Sequence, residues 1–284
     1  MLHPSYAIAI LRTCVLALFL SSCSTLHYIE VESQYPAAIT FPEELSRILI
    51  VNNALPQESV PLESSIRVVR DTVTFKADSA AFDFCRTLGE ELAAHQAFTD
   101  VRLLEGCFRK DDSPLSAVTL KREEVEQLTW EHDVDAVISL DRLLFKVNEY
   151  THELSVLDVF SAVDIYVSGV LRVYIPGRDT PMTSFLLVDT ITPDLLFDWK
   201  DMISDNSTYL IDVEEFIRES ADFVAYEARK NFVPYWSQDV RWYYVWIGTK
   251  WKQASAYAQV DRWPEALAIW KELDAQSTSW KQKA

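Results

Sequence analysis

The sequence predicts a body of the α+β and α/β class: a mixed sheet with packed helices, followed by an all-α helical region. Three observations predict it. Ile48-Leu49-Ile50-Val51 is a short, largely β-branched run closed by Asn52-Asn53, and two stretches of helical period alternating with two strand-like ones follow it. Residues 163–175 then alternate apolar and polar side chains, the period of a half-buried strand. From Asp212 onward the apolar period is 3.6, that of a helix with one buried face.

Taken in order, the chain opens on a processing signal. Arg12 precedes the apolar run Cys14-Val15-Leu16-Ala17-Leu18-Phe19-Leu20, and two small serines lead to Cys23. A basic start, an apolar stretch of about ten residues and a small-residue cleavage site make a secretory signal. The run is shorter than the roughly 20 apolar residues a membrane-spanning helix needs. Leu20-Ser21-Ser22-Cys23 has the spacing of a bacterial lipobox, so residues 1–22 read as a lipoprotein signal peptide and Cys23 as the lipidated first residue of the mature chain. An ordinary secreted protein with a chance cysteine is the alternative. Acyl chains such as palmitate contribute about 0.8 kcal/mol per buried CH₂, so two or three of them on Cys23 hold a protein on a bilayer. Residues 23–44, interrupted by Pro36 and Pro42, read as a tether with a short strand at Tyr28–Glu32.

Residues 45–205 form the expected α/β domain. The run at 48–51, closed by the turn formers Asn52-Asn53, reads as a buried strand. Residues 54–77 are a long polar connection with a short hairpin at 66–69. Asp78 or Ser79 caps a helix whose buried face is Ala81, Phe82, Cys85, Leu88, Leu92 and Ala93. Phe98–Leu104 is the next strand, Asp111–Pro114 a break, and a helix from Thr119 places Val125, Leu128 and Trp130 inside. Asp135–Leu140 is a strand; Val163–Ile175 and Ser184–Ile191, joined at Pro176-Gly177-Arg178-Asp179, are an antiparallel hairpin, and Leu196–Trp199 a short last element.

Residues 206–284 form the expected helical region. Val213, Phe216, Ile217, Ala221, Val224, Ala225 and Ala228 share one helical face, and Pro234 ends it. Seven of the nine tryptophans follow. Within 254–273, Ala254 takes a small slot, Tyr257 the aromatic slot three later, Asp261-Arg262-Trp263 the turn, Ala266 the second small slot and Trp270 its aromatic. This pattern resembles one tetratricopeptide repeat. A single repeat leaves its faces uncovered, so either 212–231 and 237–248 serve as its helical neighbours or the array is truncated.

Composition excludes several function classes. The chain carries a net charge of −17, and removing Arg12 with the signal leaves 25 basic and 43 acidic residues. Such a surface repels phosphates, so nucleic-acid binding is set aside. The five glycines, Gly89, Gly106, Gly169, Gly177 and Gly248, are too far apart for a phosphate-cradling loop, so no nucleotide and no cofactor is expected. Cys85 and Cys107 remain in an oxidising compartment; a disulfide fits the comparable lengths of the helix and strand between them, and two separate thiols are the alternative. Cys85 and His95 lie about 15 Å apart along one helix, too far for a nucleophile and its base. His27, His95, His132 and His152 are scattered, and His132-Asp133-x-Asp135 lacks facing ligands, so no metal is expected. Asp135, Asp141, Asp164 and Asp189 lie on or beside strands, where two of them meeting would make an acid/base pair of glycosidase type. The tryptophans fill helical seams or line a groove, whose polar part is then Asp239 and Arg241.

The lipobox, the α/β region, Pro234 and Arg241-Trp242-Tyr243-Tyr244 ahead of the repeat together resemble a family of uncharacterised Gram-negative lipoproteins of unknown function. The α/β part is similar in element order to the periplasmic domains of TolB and of the curli secretion lipoprotein. The resemblance implies an envelope location and no established activity. The resulting expectation is a lipid-anchored envelope protein, on the periplasmic face of the outer membrane, that binds a protein partner through Arg241, Trp242, Tyr257 and Trp270 and is not an enzyme. A glycan-binding protein or glycan hydrolase is the second reading. Its support is the tryptophan-rich helices and the strand carboxylates.

Overall fold

The computed structural model describes residues 26–42, 44–64, 74–110, 113–153, 159–192, 197–198, 206–245 and 248–276; side chains are described outside 64, 151–162, 197–198 and 206–212. The signal peptide, Cys23, the expected hairpin at 66–69, Trp246 and Trp280 lie outside the described residues. The chain divides into two compact units, one of residues 36–235 and one that joins the N-terminal stretch to residues 236–284.

The larger unit is built on an eight-stranded sheet. Its strands are β2 (Arg47–Asn52), β3 (Val60–Ser64), β4 (Thr74–Phe75), β5 (Asp100–Cys107), β6 (Ala136–Glu153), β7 (Val159–Tyr174), β8 (Thr183–Ile191) and β9 (Phe197–Asp198). β2 runs parallel to β5 on one side and to the first half of β6 on the other. The second half of β6 pairs with β3 in parallel, and β7 lies antiparallel along the whole of β6. β8 and β9 both pair with β7. The helices α1 (Ala80–Ala94) and α2 (Arg122–Glu131) make the crossovers from the β2 side to β5 and from β5 to β6.

Alternation along β2 decides which helix covers which face. Ile48 and Ile50 join Phe84, Cys85, Leu88 and Leu92 of α1 in the larger core, while Leu49 and Val51 join Val125 and Leu128 of α2 in a smaller one. All four strand residues are fully buried, as a strand with a helix on each face requires. The third helix, α3 (Asn206–Ala228), lies beside α1 and adds Val213, Ile217, Ala221, Val224 and Ala225 to the larger core. Arg229, in the 3-10 turn at 229–231, pairs with Glu91 of α1 at 3.2 Å. Phe41 packs against Phe98 and Phe232, and Phe232 against Phe185, with ring centroids 5.0–6.2 Å apart.

These contacts change the expected division. The helix after residue 206 is a layer of the α/β unit, because its apolar face meets the sheet and α1 rather than a repeat. Residues 36–42, expected within a tether, are packed as well: Ile39 N–H donates to the Asn231 carbonyl at 3.1 Å. Trp130, expected inside, is 86 % exposed because it falls on the outer side of α2.

The smaller unit holds β1 (Leu26–Tyr35) and β10 (Tyr235–Tyr244), paired as a separate two-stranded sheet, with α4 (Thr249–Ala258) and α5 (Trp263–Gln276). A distinct all-α region is therefore not what the chain forms. Residues 235–244 are a strand, not a helical neighbour, and residues 26–35 of the expected tether are the strand that pairs with them. Alternating large side chains suit a half-covered strand: Tyr235, Ser237, Asp239 and Tyr243 are half-buried, while Trp236, Gln238, Val240 and Trp242 are exposed. The helical pair itself forms as the spacing requires, with Ala254 and Ala266 fully buried.

Candidate functional site

Polar groups converge in the α/β unit at the carboxyl ends of β2 and β5. The connection leaving β2 reaches α1 on one face, and that leaving β5 reaches α2 on the other. Adjacent parallel strands whose connections diverge leave a crevice at their ends, where open α/β sheets place ligands. Here a cleft of about 680 Å³ is lined by Asn53, Cys107, Arg109, Lys110, Lys121 and Glu124 among others. The ladder between β2 and β5 shifts register between Ile50 and Asn52, and Gly106 takes φ +80°, so the ladder is irregular at the rim.

The cleft is a binding shape without a reacting set. The Arg109 guanidinium donates to the Ser116 and Ser113 carbonyls at 2.6 and 2.8 Å and so braces the loop before α2. Asn53 Nδ2 donates to the Val118 carbonyl at 2.9 Å and to Asp141 at 3.0 Å. Glu124 accepts from the Lys121 N–H at 2.7 Å at the start of α2, which places an acid where an anionic ligand would sit. No histidine lines the cleft. Cys107 is an exposed thiol whose Sγ lies 3.5 Å from the Ala54 carbonyl. Cys85 is buried on α1, and burial pushes its thiol well above the usual cysteine range. The two are thiols and not a disulfide, because the side of α1 that carries Cys85 turns into the core.

Beneath the cleft lies Asp141, with no exposed surface. Ser139 Oγ donates to Oδ1 at 2.6 Å; Arg172 and Tyr174 donate to Oδ2 at 2.5 and 3.0 Å. Tyr174 Oη in turn accepts from the Leu120 N–H at 3.2 Å, and burial followed by the charge of Asp141 raises its pKa. The other strand acids are placed apart. Asp135 accepts from the Ser46 and Arg47 N–H groups and pairs with the Arg47 guanidinium at 2.8 Å. Asp164 accepts from Thr192 and Tyr150, and Asp189 from the Thr190 N–H. Asp164 sits opposite Asn148 and Asp189 opposite Val167, so the register sets neither beside Asp141. Among the described residues no group of three His, Cys, Asp or Glu side chains is placed to hold a metal ion.

The residues expected to form a binding groove in the smaller unit separate onto two faces. Trp242 points outward, 58 % exposed, with its ring edge-on to Tyr244 at 5.2 Å. Trp270 lies on the other side, against Tyr243 at 5.4 Å. Arg241 shares that inner side and reaches Asp239 at 3.6 Å, while Tyr257 is covered by the Arg262 guanidinium at 4.8 Å. Tyr35 Oη donates to Asp239 at 2.6 Å and, with Ser33 and Arg241, holds its carboxyl below the usual range. Two surfaces were not singled out from the sequence: the outward face of β10, hidden by the expectation of a helix, and the outer edge of β8. The alternation of Leu186 and Val188 with inward Phe185 and Leu187 is the signal for the second.

Among curated proteins none matches the chain. Solved structures give similarities at low scores. A PelC dodecamer from Paraburkholderia phytofirmans matches with 10 % identity and a TM-score of 0.31, over 72 % of this chain and 98 % of that one. The rare lipoprotein B from Shewanella oneidensis matches with 14 % identity and a TM-score of 0.26, over 63 % and 92 %. A minor lipoprotein from Acinetobacter baumannii matches with 12 % identity and a TM-score of 0.25, over 66 % and 97 %. Scores of this size do not establish a common fold, and no function follows from them. The sequence profile described as a domain of unknown function, DUF8603, matches residues 45–244, from the start of the sheet to the end of β10, and the chain belongs to that family.

Proposed function

We propose that the protein is a lipid-anchored protein of the bacterial cell envelope, held at the outer membrane through Cys23, whose α/β unit binds other proteins during assembly. Leu20-Ser21-Ser22-Cys23 supports the anchor. No described helix is long and apolar enough to cross a membrane.

The observation that carries the binding part is β8. It pairs with β7 and with no other described strand, so the backbone groups along its far side face no ladder partner among the described residues. Such edges are usually blunted by lysine, proline or a bulge. Between Thr183 and Ile191 the only charge is Asp189, and Leu186 and Val188 are 69 % and 68 % exposed. An extended segment of a partner, with apolar side chains at alternate positions, fits this edge as an added strand. A photo-crosslinking residue at Leu186 is expected to give a protein adduct in intact cells. The pair Leu186→Lys and Val188→Lys, probed from position 184, is expected to abolish it; an adduct indifferent to the lysines would sink the reading. The anchor is checked by fractionation, where Cys23→Ala is expected to leave the membrane fraction.

A glycan-binding role is the second reading, favoured by the exposure of Trp236 and Trp242 on one strand face. A glycan array with wild type and Trp242→Ala distinguishes it.

A further inference from the structure

We propose that the outward face of the β1–β10 sheet rests on the bilayer that holds the Cys23 lipid, making a second, interfacial contact that orients the protein. This rests on the lipid-anchor reading above. The two strands sort their side chains cleanly. His27 packs on Tyr243 with ring centroids 5.7 Å apart, and Tyr35 bonds Asp239, so the odd-numbered residues of both strands share one side. That side is covered by α4 and α5, through Tyr243 to Ser255 and Trp270 and through His27 to Gln259. The even-numbered residues are left on the other side: Tyr28 and Trp236 are 66 % exposed, Val240 65 %, Trp242 58 % and Tyr244 43 %.

Three features select a membrane surface as what covers them. The first is side-chain type. Trp and Tyr settle at membrane–water interfaces, where the ring meets the acyl boundary and the N–H or O–H stays wet. The second is reach. Only Ser24 and Thr25 separate Cys23 from Leu26, so an extended chain spans at most about 11 Å between them. The contact of His27 with Tyr243 puts Trp242 and Tyr244 at this same end of the sheet. A lipid on Cys23 therefore holds these rings within the depth of the headgroup layer. The third is charge. The even-numbered positions carry Glu30 and Glu32 and no Lys or Arg, so the face suits zwitterionic headgroups and disfavours anionic ones.

The test uses the full lipidated protein, purified in detergent and reconstituted on phosphatidylcholine vesicles with and without bromine on the acyl chains. Flotation reports the anchor, and tryptophan quenching reports the face. Wild type is expected to lose part of its emission to the brominated lipid. Trp242→Phe should remove part of that quenching and Trp236→Phe with Trp242→Phe most of it, while Trp270→Phe, on the covered side, should leave it. Protein that fails to float would overturn the anchor and this contact with it. Protein that floats but shows the same quenching in Trp242→Phe as in wild type would overturn the contact and leave the anchor standing. A Trp242-dependent emission change with soluble oligosaccharides, and no quenching by vesicles, would assign the face to sugars and overturn the contact.

Discussion

At the scale of single residues, Asp141 is the group on which most others depend. A carboxylate with no exposed surface is acceptable only when its oxygens are fully used, and four side chains from two strands and one loop donate to it. Removing it leaves Arg172, itself largely covered, with Tyr174 and Asn53 short of an acceptor. Asp141→Ala is expected to cost about 3 kcal/mol, the range for breaking a buried pair from one side, measured as a shift in the urea midpoint. None of this was legible from the sequence, where Asp141 stands as one of four strand acids. Its burial follows from long-range pairing, not from its neighbours in the chain. The cysteines make a second residue-scale case. Cys85 is buried with a raised pKa and Cys107 is exposed, so of these two only Cys107 should react with Ellman's reagent in the native protein. Rapid reaction of both without denaturant would contradict the burial of Cys85.

At the scale of elements, the sequence predicts a strand over Asp135–Leu140, whereas β6 runs on to Glu153, thirteen residues further. The apolar positions run Ala136, Ile138, Leu140 and then Leu143, Phe145, Val147, a slip of one in the alternation. A slip reads as a strand end when only local period is considered. The ladder with β7 shows a bulge between Leu140 and Arg142, which inserts Asp141, turns it inward and restores the pattern. Just beyond the bulge, Gly169 of β7 lies opposite Leu143, and an added Cβ would stand 3.1 Å from the Arg142 carbonyl oxygen. Gly169→Ala is expected to destabilise by about 1–3 kcal/mol, as overpacking does, read from thermal unfolding. Asp135 acts at this scale too, because its hydrogen bonds join the start of β2 to the start of β6. The Arg47 guanidinium, with the Arg47 and Ser46 N–H groups, holds its carboxyl below the usual range. A carboxyl lowered in the folded state stabilises above its unfolded pKa of about 4, and that contribution fades as pH falls through the lowered value. The stability difference between wild type and Asp135→Asn should therefore be full at neutral pH and shrink below pH ~4. A difference that grows on acidification would refute the assignment.

At the scale of the molecule, the two units differ in how they are held together. Both apolar cores belong to residues 36–235, whereas the buried apolar residues of the smaller unit, among the described residues, are Ala254, Ala258 and Ala266. Two strands alone are marginal in water, and the helical pair covers only one side of them. The smaller unit is stabilised chiefly by half-buried rings such as Tyr243 and Trp270 and by the bond from Tyr35 to Asp239. The sequence showed the helical pair through its small and aromatic slots. It did not show that the pair covers a strand brought from the other end of the chain, since that pairing spans some two hundred residues and leaves no local period. A single unfolding transition is therefore not expected. Calorimetry of the mature protein in detergent should show two, the lower from the smaller unit. A fragment of residues 36–235 should reproduce the upper one near the same temperature. The lower transition should rise when the lipidated protein is placed on phosphatidylcholine vesicles, because the bilayer covers Trp242 and Tyr244, and Trp242→Ala should reduce that rise. A lower transition unmoved by vesicles that the protein demonstrably binds would mean that the outward face of β10 remains in water.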